Sequence, residues 1–320
     1  MIAVSNLTKR YGAHTAIEGL NFSVAAGEIV GFLGPNGAGK TTTMNIMTGY
    51  IAATAGDVVI DGCDIVAEPE KAKRQIGYMP DTPPVYGEMR VVEYLHFVAD
   101  IKGVPRRERA DMLADIMGQV QIADVSRRLI KNLSRGYRQR VGLAQAMVGR
   151  PRVIIMDEPT IGLDPKQIIE TREVVKKLGE RHTVLLSSHI MQEVTAVCDR
   201  VIIINHGEIV AQGTPERLSA DLSTAEGLMR VRVKGTVEKV REALRGYPII
   251  THVDIKSGRE ARTVDMELAG QKGADIREAV FRCMAKHDLP ILLMQSAELS
   301  LEEVFLTLIE KRRPLRDSHL

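Results

Sequence analysis

The chain has 320 residues, 44% of them hydrophobic and 26% charged, which is the usage of an ordinary soluble globular protein with room for one large domain or two smaller ones. Its 43 Lys and Arg stand against 41 Asp and Glu, a balance that points away from nucleic acid, and no nucleic-acid partner is expected. Cys63, Cys198 and Cys283 are odd in number, far apart and without CxxC spacing, so they read as reduced structural thiols rather than as a disulfide framework or a metal site.

Met1 to Arg10 holds no apolar stretch long enough for a signal peptide. Nowhere does an apolar run approach the roughly 18 residues of a spanning helix. Over roughly the first 220 residues, short β-branched runs alternate with helical patterns, the mark of an α/β domain. Ile29 to Leu33 reads as a buried strand, followed by a Gly-rich turn and a helix starting near Lys40. That turn, Gly34-Pro35-Asn36-Gly37-Ala38-Gly39-Lys40-Thr41, fits the phosphate-binding pattern G-x-x-x-x-G-K-[ST]. Its glycines let the backbone curl so that successive N–H groups face a phosphate. The helix that follows adds its positive end, Lys40 a charge for the β- and γ-oxygens, and Thr41 a hydroxyl for Mg²⁺.

From Pro83 to Arg150 the pattern becomes helical, with Val91, Tyr94, Leu95, Val98 and Ile101 expected on one face. This is an insertion, about 83–150, rather than part of the sheet. The basic residues Arg127, Arg128, Lys131, Arg135, Arg138 and Arg140 within it form the kind of cluster that is ordinarily a solvated surface. Val153 to Met156 is another buried strand, and it ends in Asp157 and Glu158. Two acids after a strand are ordinarily a solvated edge. Paired with a phosphate loop, Asp157 is placed to hold Mg²⁺ and Glu158 to polarise the attacking water. Thr183 to Leu186 is a further central strand, and Val201 to Asn205 and Glu208 to Ala211 form a hairpin around His206-Gly207 at the domain's far edge.

Near Leu218 to Gly227 the composition turns polar and small, dividing a domain over 1–220 from a unit over 228–320. The second unit reads β-α-β-β-α-β, with strands at Met229 to Val233, His252 to Ile255, Thr263 to Leu268 and Ile291 to Met294. Helices are expected at Val237 to Leu244 and Ile276 to Lys286, then a last one at Leu301 to Lys311. That order suggests a small ferredoxin-like α+β module.

Leu133-Ser134-Arg135-Gly136-Tyr137-Arg138-Gln139-Arg140, shortly before the acids, resembles the signature of the ABC ATPase family, usually LSGGQ followed by a basic helical stretch. The resemblance implies that Ser134, Arg135, Gly136 and Tyr137 meet the γ-phosphate of ATP held by a second copy, so that two copies sandwich two ATPs. Arg135 for Gly and Tyr137 for Gln depart from the pattern. It further implies ATP binding by residues 34–42, Thr42 included, adenine stacking on Tyr11, a switch role for His189 at the γ-phosphate, and a loop carrying Asp164 that crosses the dimer interface. The plainer reading of Asp164-Pro165 is a helix cap and first turn. Asp81 stands where the family has a glutamine, so its approach to the metal and its link to a membrane partner carry over in part: it accepts hydrogen bonds but cannot donate as an amide does.

Gly77-Tyr78-Met79-Pro80 and the tail Ser300-Leu301-Glu302-Glu303-Val304-Phe305-Leu306 resemble ATP-binding subunits of ABC-2-type exporters, the branch with drug, polysaccharide, sodium and gliding-motility systems. The implied protein is an α/β P-loop NTPase with a helical insertion, using ATP and Mg²⁺. It would power an integral-membrane permease on another chain from the cytoplasm, held peripherally on the inner face of the cell membrane. The rival is a soluble ABC ATPase acting on ribosomes or DNA. DNA-repair members separate their ATP motifs by a long coiled coil, and ribosome-associated members carry two ATPase domains; here there is one compact insertion and one set of motifs.

Overall fold

The computed structural model describes residues 1–226, 228–258, 260, 262–270, 275–296 and 302–306. The chain packs as two compact units that divide after Thr214.

In the first unit β1 (Ile2–Tyr11) and β2 (His14–Val24) form a hairpin, and β3 (Ile29–Leu33) leads through the glycine-rich turn into α1 (Lys40–Met47). Then come β4 (Ala55–Ile60), β5 (Cys63–Asp64), α2 (Pro69–Arg74) and β6 (Ile76–Met79). The helical stretch holds α3 (Val91–Ile101), α4 (Arg106–Gln119), two single 3₁₀ turns and α5 (Arg135–Met147). The unit ends with β7 (Val153–Met156), α6 (Pro165–Gly179), β8 (Thr183–Ser188), α7 (Met191–Thr195), β9 (Arg200–Asn205) and β10 (Glu208–Gly213).

The strands make two sheets, a four-stranded antiparallel one ordered β2-β1-β4-β5 and a six-stranded one ordered β10-β9-β3-β8-β7-β6. Their facing sides share one core that includes Val4, Phe22, Phe32, Met44, Ile60, Ile155, Leu185 and Ile202. The Phe22 and Phe32 rings meet at 5.5 Å between centroids. Strands β3, β7 and β8 are buried along their whole length. Central parallel strands are covered on both faces, hence their near-continuous apolar runs. All contacts among β9, β3, β8, β7 and β6 are parallel. The segments that leave Leu33, Met79, Met156 and Ser188 therefore emerge along one edge, where open α/β sheets bind their ligands. The β9–β10 hairpin closes the sheet on the side away from β6, with its turn on that same edge, and His206 and Gly207 both have positive φ, 49° and 80°, as a two-residue hairpin turn of the I′ kind demands.

Helix α3 buries Val91, Tyr94, Leu95 and Val98 as expected, but Ile101 is 69% exposed. Seven residues beyond Tyr94, at 3.6 residues per turn, it stands only about 20° round from that buried ring, but it is the last residue of the helix. The strand expected to end at Leu186 runs on to Ser188. Cys198 is buried and Cys63 half-buried; both are free thiols, as is buried Cys283 of the second unit.

In the second unit the polar, small segment after Thr214 is a helix, α8 (Pro215–Glu226). It is followed by β11 (Leu228–Lys234), α9 (Val237–Leu244), β12 (Ile250–Ser257), β13 (Thr263–Gly270), α10 (Arg277–Lys286) and β14 (Ile291–Ser296). The sheet is antiparallel in the order β12-β13-β11-β14, the ferredoxin-like arrangement of a β-α-β-β-α-β chain. Val231, Val233, Met266 and Leu268 of the sheet pack with Val240, Leu244, Val280 and Met284 of α9 and α10. Arg230–Glu267 and Arg232–Asp265 pair across neighbouring strands. Of the expected last helix, residues 302–306 are helical, with Val304 buried. Ser300, Leu301 and residues 307–311 lie outside the described residues.

Candidate functional site

The turn after β3 is shaped by what surrounds it. Gly37 and Gly39 have φ of 80° and 107°, a backbone that L side chains rarely adopt. At Gly34 the limit is space: a Cβ there would lie 2.4 Å from the Ile204 carbonyl oxygen of β9. Two further bonds fix the turn, Gly34 N–H donating to Ser188 O at 3.3 Å and Gly207 N–H to Ala38 O at 3.0 Å. Gly39 then becomes the N-cap of α1, whose first residue is Lys40. Thr43, not singled out from the sequence, closes the first turn by donating its hydroxyl to Gly39 O at 2.9 Å.

Lys40 is only 6% exposed, and its ammonium donates to Gly34 O at 2.8 Å. It also pairs with Glu158 Oε1 at 3.2 Å. The other oxygen of Glu158 meets His189 Nδ1 at 2.8 Å. Glu158 has φ of +47°, a left-handed backbone uncommon outside glycine, which turns its side chain off the line of β7 and into the cleft. Ser187 bridges the two acids: its hydroxyl donates to Asp157 Oδ1 and accepts the Glu158 N–H at 2.9 Å. Asp157 is buried, and that burial lifts its carboxyl above the usual range despite hydrogen bonds from Ser187 and Thr41; the charges of Glu158 and Asp81 push the same way.

These groups open onto a cleft of about 400 Å³ lined by Tyr11, Asn36, Gly37, Gly39, Lys40, Thr41, Thr42, Asp81, Asp157 and Glu158. His14, Ala16 and Ile161 complete its lining, and no motif in the sequence marks them. Gly34, Pro35 and Ala38 shape the turn from behind, and His189 reaches the cleft through Glu158. Tyr11, the last residue of β1, is half exposed and carries the Lys9 ammonium 5.0 Å from its ring centroid. Asp81 is exposed; its Oδ1 accepts the Thr82 N–H, and its backbone carbonyl accepts the Gln139 side-chain amide at 2.9 Å.

The signature residues sit elsewhere. Ser134 caps α5, its hydroxyl accepting the Tyr137 N–H. Gly136, Tyr137 and Asp164 line a second cleft of about 440 Å³ that shares no residue with the first. Asp164 caps α6, accepting the Gln167 N–H at 2.9 Å, and Pro165 follows as its first residue. The Arg135 guanidinium lies against Gly162, where a Cβ would come within 2.4 Å of it. The Tyr137 hydroxyl donates to Asp124 at 3.1 Å. Arg127, Arg128, Lys131 and Arg138 are exposed. A larger cleft, about 710 Å³, is lined by Lys73, Arg74, Lys102, Arg107 and Arg150, with Glu70, Glu108 and Asp111, and holds none of the phosphate-loop, strand-end or signature residues.

The donor set suits a hard divalent cation. Thr41 and Asp157 offer adjacent hydroxyl and carboxylate oxygens, and Asp81 and Glu158 line the same cleft. Among the described residues no three His, Cys, Asp or Glu side chains form a metal cage. One carboxylate and one hydroxyl, with substrate phosphates, is the set Mg²⁺ takes in place of an all-protein cage. The carboxyl that burial makes reluctant to ionise is the one such an ion would favour as a charge.

The ABC transporter family model matches residues 17–161. Linearmycin resistance ATP-binding protein LnrL of Bacillus subtilis is 32% identical, the match covering 99% of this chain and all of that protein. Lipopolysaccharide export system ATP-binding protein LptB of Escherichia coli K12 is 34% identical over 69% of this chain and 93% of its own length. Among solved structures, an ATP-binding subunit of an ABC transporter superposes with a TM-score of 0.64 at 30% identity, over 69% of this chain and 93% of that one. A dimeric bacterial ABC transporter cassette gives 0.62 at 25% identity, over 67% and 98%. With a relative at this identity running its full length, the chain belongs to the ABC transporter family, as an ATP-binding and ATP-hydrolysing subunit.

Proposed function

We propose that this ATPase is the motor of an ABC-2-type exporter, working as a homodimer on an integral-membrane permease carried by another chain, at the cytoplasmic face of the cell membrane. The observation that carries its chemistry is the meeting of Lys40, Glu158 and His189, with Glu158 held between the other two at 3.2 and 2.8 Å. The loop N–H groups and Lys40 cradle the β- and γ-phosphates, and Tyr11 stacks on adenine. Thr41 and Asp157 would hold Mg²⁺, with Asp81 lining the same cleft, and the chemistry such an ion would supply there is neutralisation of phosphate charge. Glu158 accepts a proton from the water that attacks the γ-phosphorus as the bond to the β-bridging oxygen breaks and ADP leaves. His189 orients Glu158 and faces the γ-phosphate.

Ser134, Arg135, Gly136 and Tyr137 meet the nucleotide of the second copy, and the Asp164 loop crosses between copies. In support, the signature lines a cleft apart from the phosphate loop's own, and one solved structural neighbour is a dimer. The export reading draws on LnrL and LptB, one named for linearmycin resistance and the other for lipopolysaccharide export. No helix among the described residues is long and apolar enough to cross a membrane, and this reading assigns the membrane path to a partner. Lys40→Ala should abolish ATP hydrolysis, and the parent chain, co-expressed with a neighbouring gene product of about six spanning helices, should co-purify with it in membranes. Undiminished ATPase in the variant would refute the phosphate-loop assignment. Recovery with ribosomes or DNA instead of membranes would move the function to the soluble class.

A further inference from the structure

One buried titratable side chain of the first unit has no part in the chemistry above. Glu193, on α7, is 4% exposed. Its Oε2 accepts two hydroxyls, Thr160 Oγ1 and Ser188 Oγ, the second at 3.0 Å. Its Oε1 has no hydrogen-bond partner among the described residues. A half-satisfied buried carboxylate destabilises a fold, so its presence calls for a reason beyond packing.

The two hydroxyls supply one. Thr160 lies two residues after Glu158, and Ser188 immediately precedes His189. Glu158 and His189 are bonded to each other at 2.8 Å. One carboxylate oxygen thus ties together the two loops whose tips form that pair. Ser188 extends the tie: its hydroxyl accepts the Ile190 N–H at 3.0 Å, and its carbonyl accepts the Gly34 N–H of the phosphate loop. The left-handed backbone of Glu158 persists only where its surroundings over-determine it. Ser187 does so from one side and the Ile161 N–H, donating to Glu158 O at 3.1 Å, from within the turn. Glu193 anchors the far end of that turn.

We propose that Glu193 is a positioning residue that staples the turn after β7 to the end of β8 and so keeps Glu158 and His189 in register. This rests on the roles given above to Glu158 and His189. Glu193 itself touches no substrate.

Three variants of the full chain test it, read by ATP turnover, ATP affinity and melting temperature. Thr160→Val removes one hydroxyl at nearly constant volume, Thr160→Ser keeps it, and Glu193→Ala removes both ties. Thr160→Val should lower kcat about 10- to 100-fold, the penalty for a misaligned reacting group, with KM for ATP unchanged. Thr160→Ser should restore turnover. Thr160→Val combined with Glu193→Ala should be no worse than Glu193→Ala alone, because both cut the same tie. A carboxylate that only supports the fold would lower the melting temperature and leave kcat per folded protein alone; that result in Thr160→Val would overturn the proposal. Should Glu193→Ala fail to fold, the two Thr160 variants decide. Full turnover in Glu158→Gln would strike the underlying roles, whereas its loss beside an unaffected Thr160→Val strikes the staple only.

Discussion

Glu158→Gln removes one charge and little else, since the two side chains share a shape. The carboxylate it replaces is 9% exposed and held between Lys40 and His189. An amide cannot take a proton from water, so a general-base contribution of about 10²- to 10⁴-fold should vanish. At 1.36 kcal/mol per tenfold, that is about 2.7–5.4 kcal/mol of barrier. Binding should move the other way. At 3.2 Å and an effective dielectric constant of about 20, Glu158 attracts Lys40 by roughly 5 kcal/mol before desolvation offsets most of it. The amide gives up that attraction and leaves the ammonium free for phosphate. It also removes one of the charges that, after burial, keep the neighbouring Asp157 carboxyl high. Turnover should therefore fall at least about 100-fold while ATP affinity is kept or tightens, and ATP should trap a dimer. Phosphate release, titration with a fluorescent ATP analogue and size-exclusion chromatography read the three effects. Turnover equal to that of the parent protein would refute the base assignment; a parallel loss of ATP affinity would refute the account of Lys40.

Gly34→Ala should damage both stability and turnover, because its Cβ would sit 2.4 Å from a backbone oxygen of β9 and 2.8 Å from Ile204 Cγ2. Overpacking of this kind costs about 1–3 kcal/mol, and a loop displaced by about 1 Å loses roughly 100-fold in rate; thermal melts and ATPase assays check both. Glu28, half-buried, would be pushed up by that burial, but hydrogen bonds from Arg200 and the Ala25 N–H and the Arg200 charge bring it below its usual 4.5. A carboxyl with a depressed folded pKa stabilises above its usual pKa and loses that contribution as pH falls through the folded one. The stability gap between the parent and Arg200→Met should accordingly be full at neutral pH and shrink in acid below 4.5. A gap independent of pH, in urea titrations along a pH series, would show that Arg200 acts by packing alone.

What could be read from the sequence was local. The phosphate loop announces itself because glycine, lysine and threonine are each demanded at fixed steps along one turn, and Asp157-Glu158 because a buried strand must end where its acids begin. The β-α-β-β-α-β order of the second unit was legible from alternation and helical stripes alone. Thr160, Ser187, Ser188 and Glu193 were not. Their significance depends on β7 lying beside β8, a neighbourhood set by the whole sheet and absent from any short window of sequence. Hydroxyls also serve equally well as caps, turn residues or strand-end polar groups, so their type alone discriminates little. Ile101 failed for a simpler reason, a helical stripe extended one turn too far.

The positive φ of Glu158 has a bearing on how this position can evolve. A left-handed residue other than glycine, asparagine or aspartate carries strain of roughly 1–3 kcal/mol, and glycine would relieve it. Drift under selection for stability alone would favour that exchange, one base change away in the codons of glutamate and glycine. Glutamate at position 158 is thus a residue the backbone disfavours. Any copy of this chain that lost its substrate or its partner should shed it early, long before the buried strands on either side began to decay.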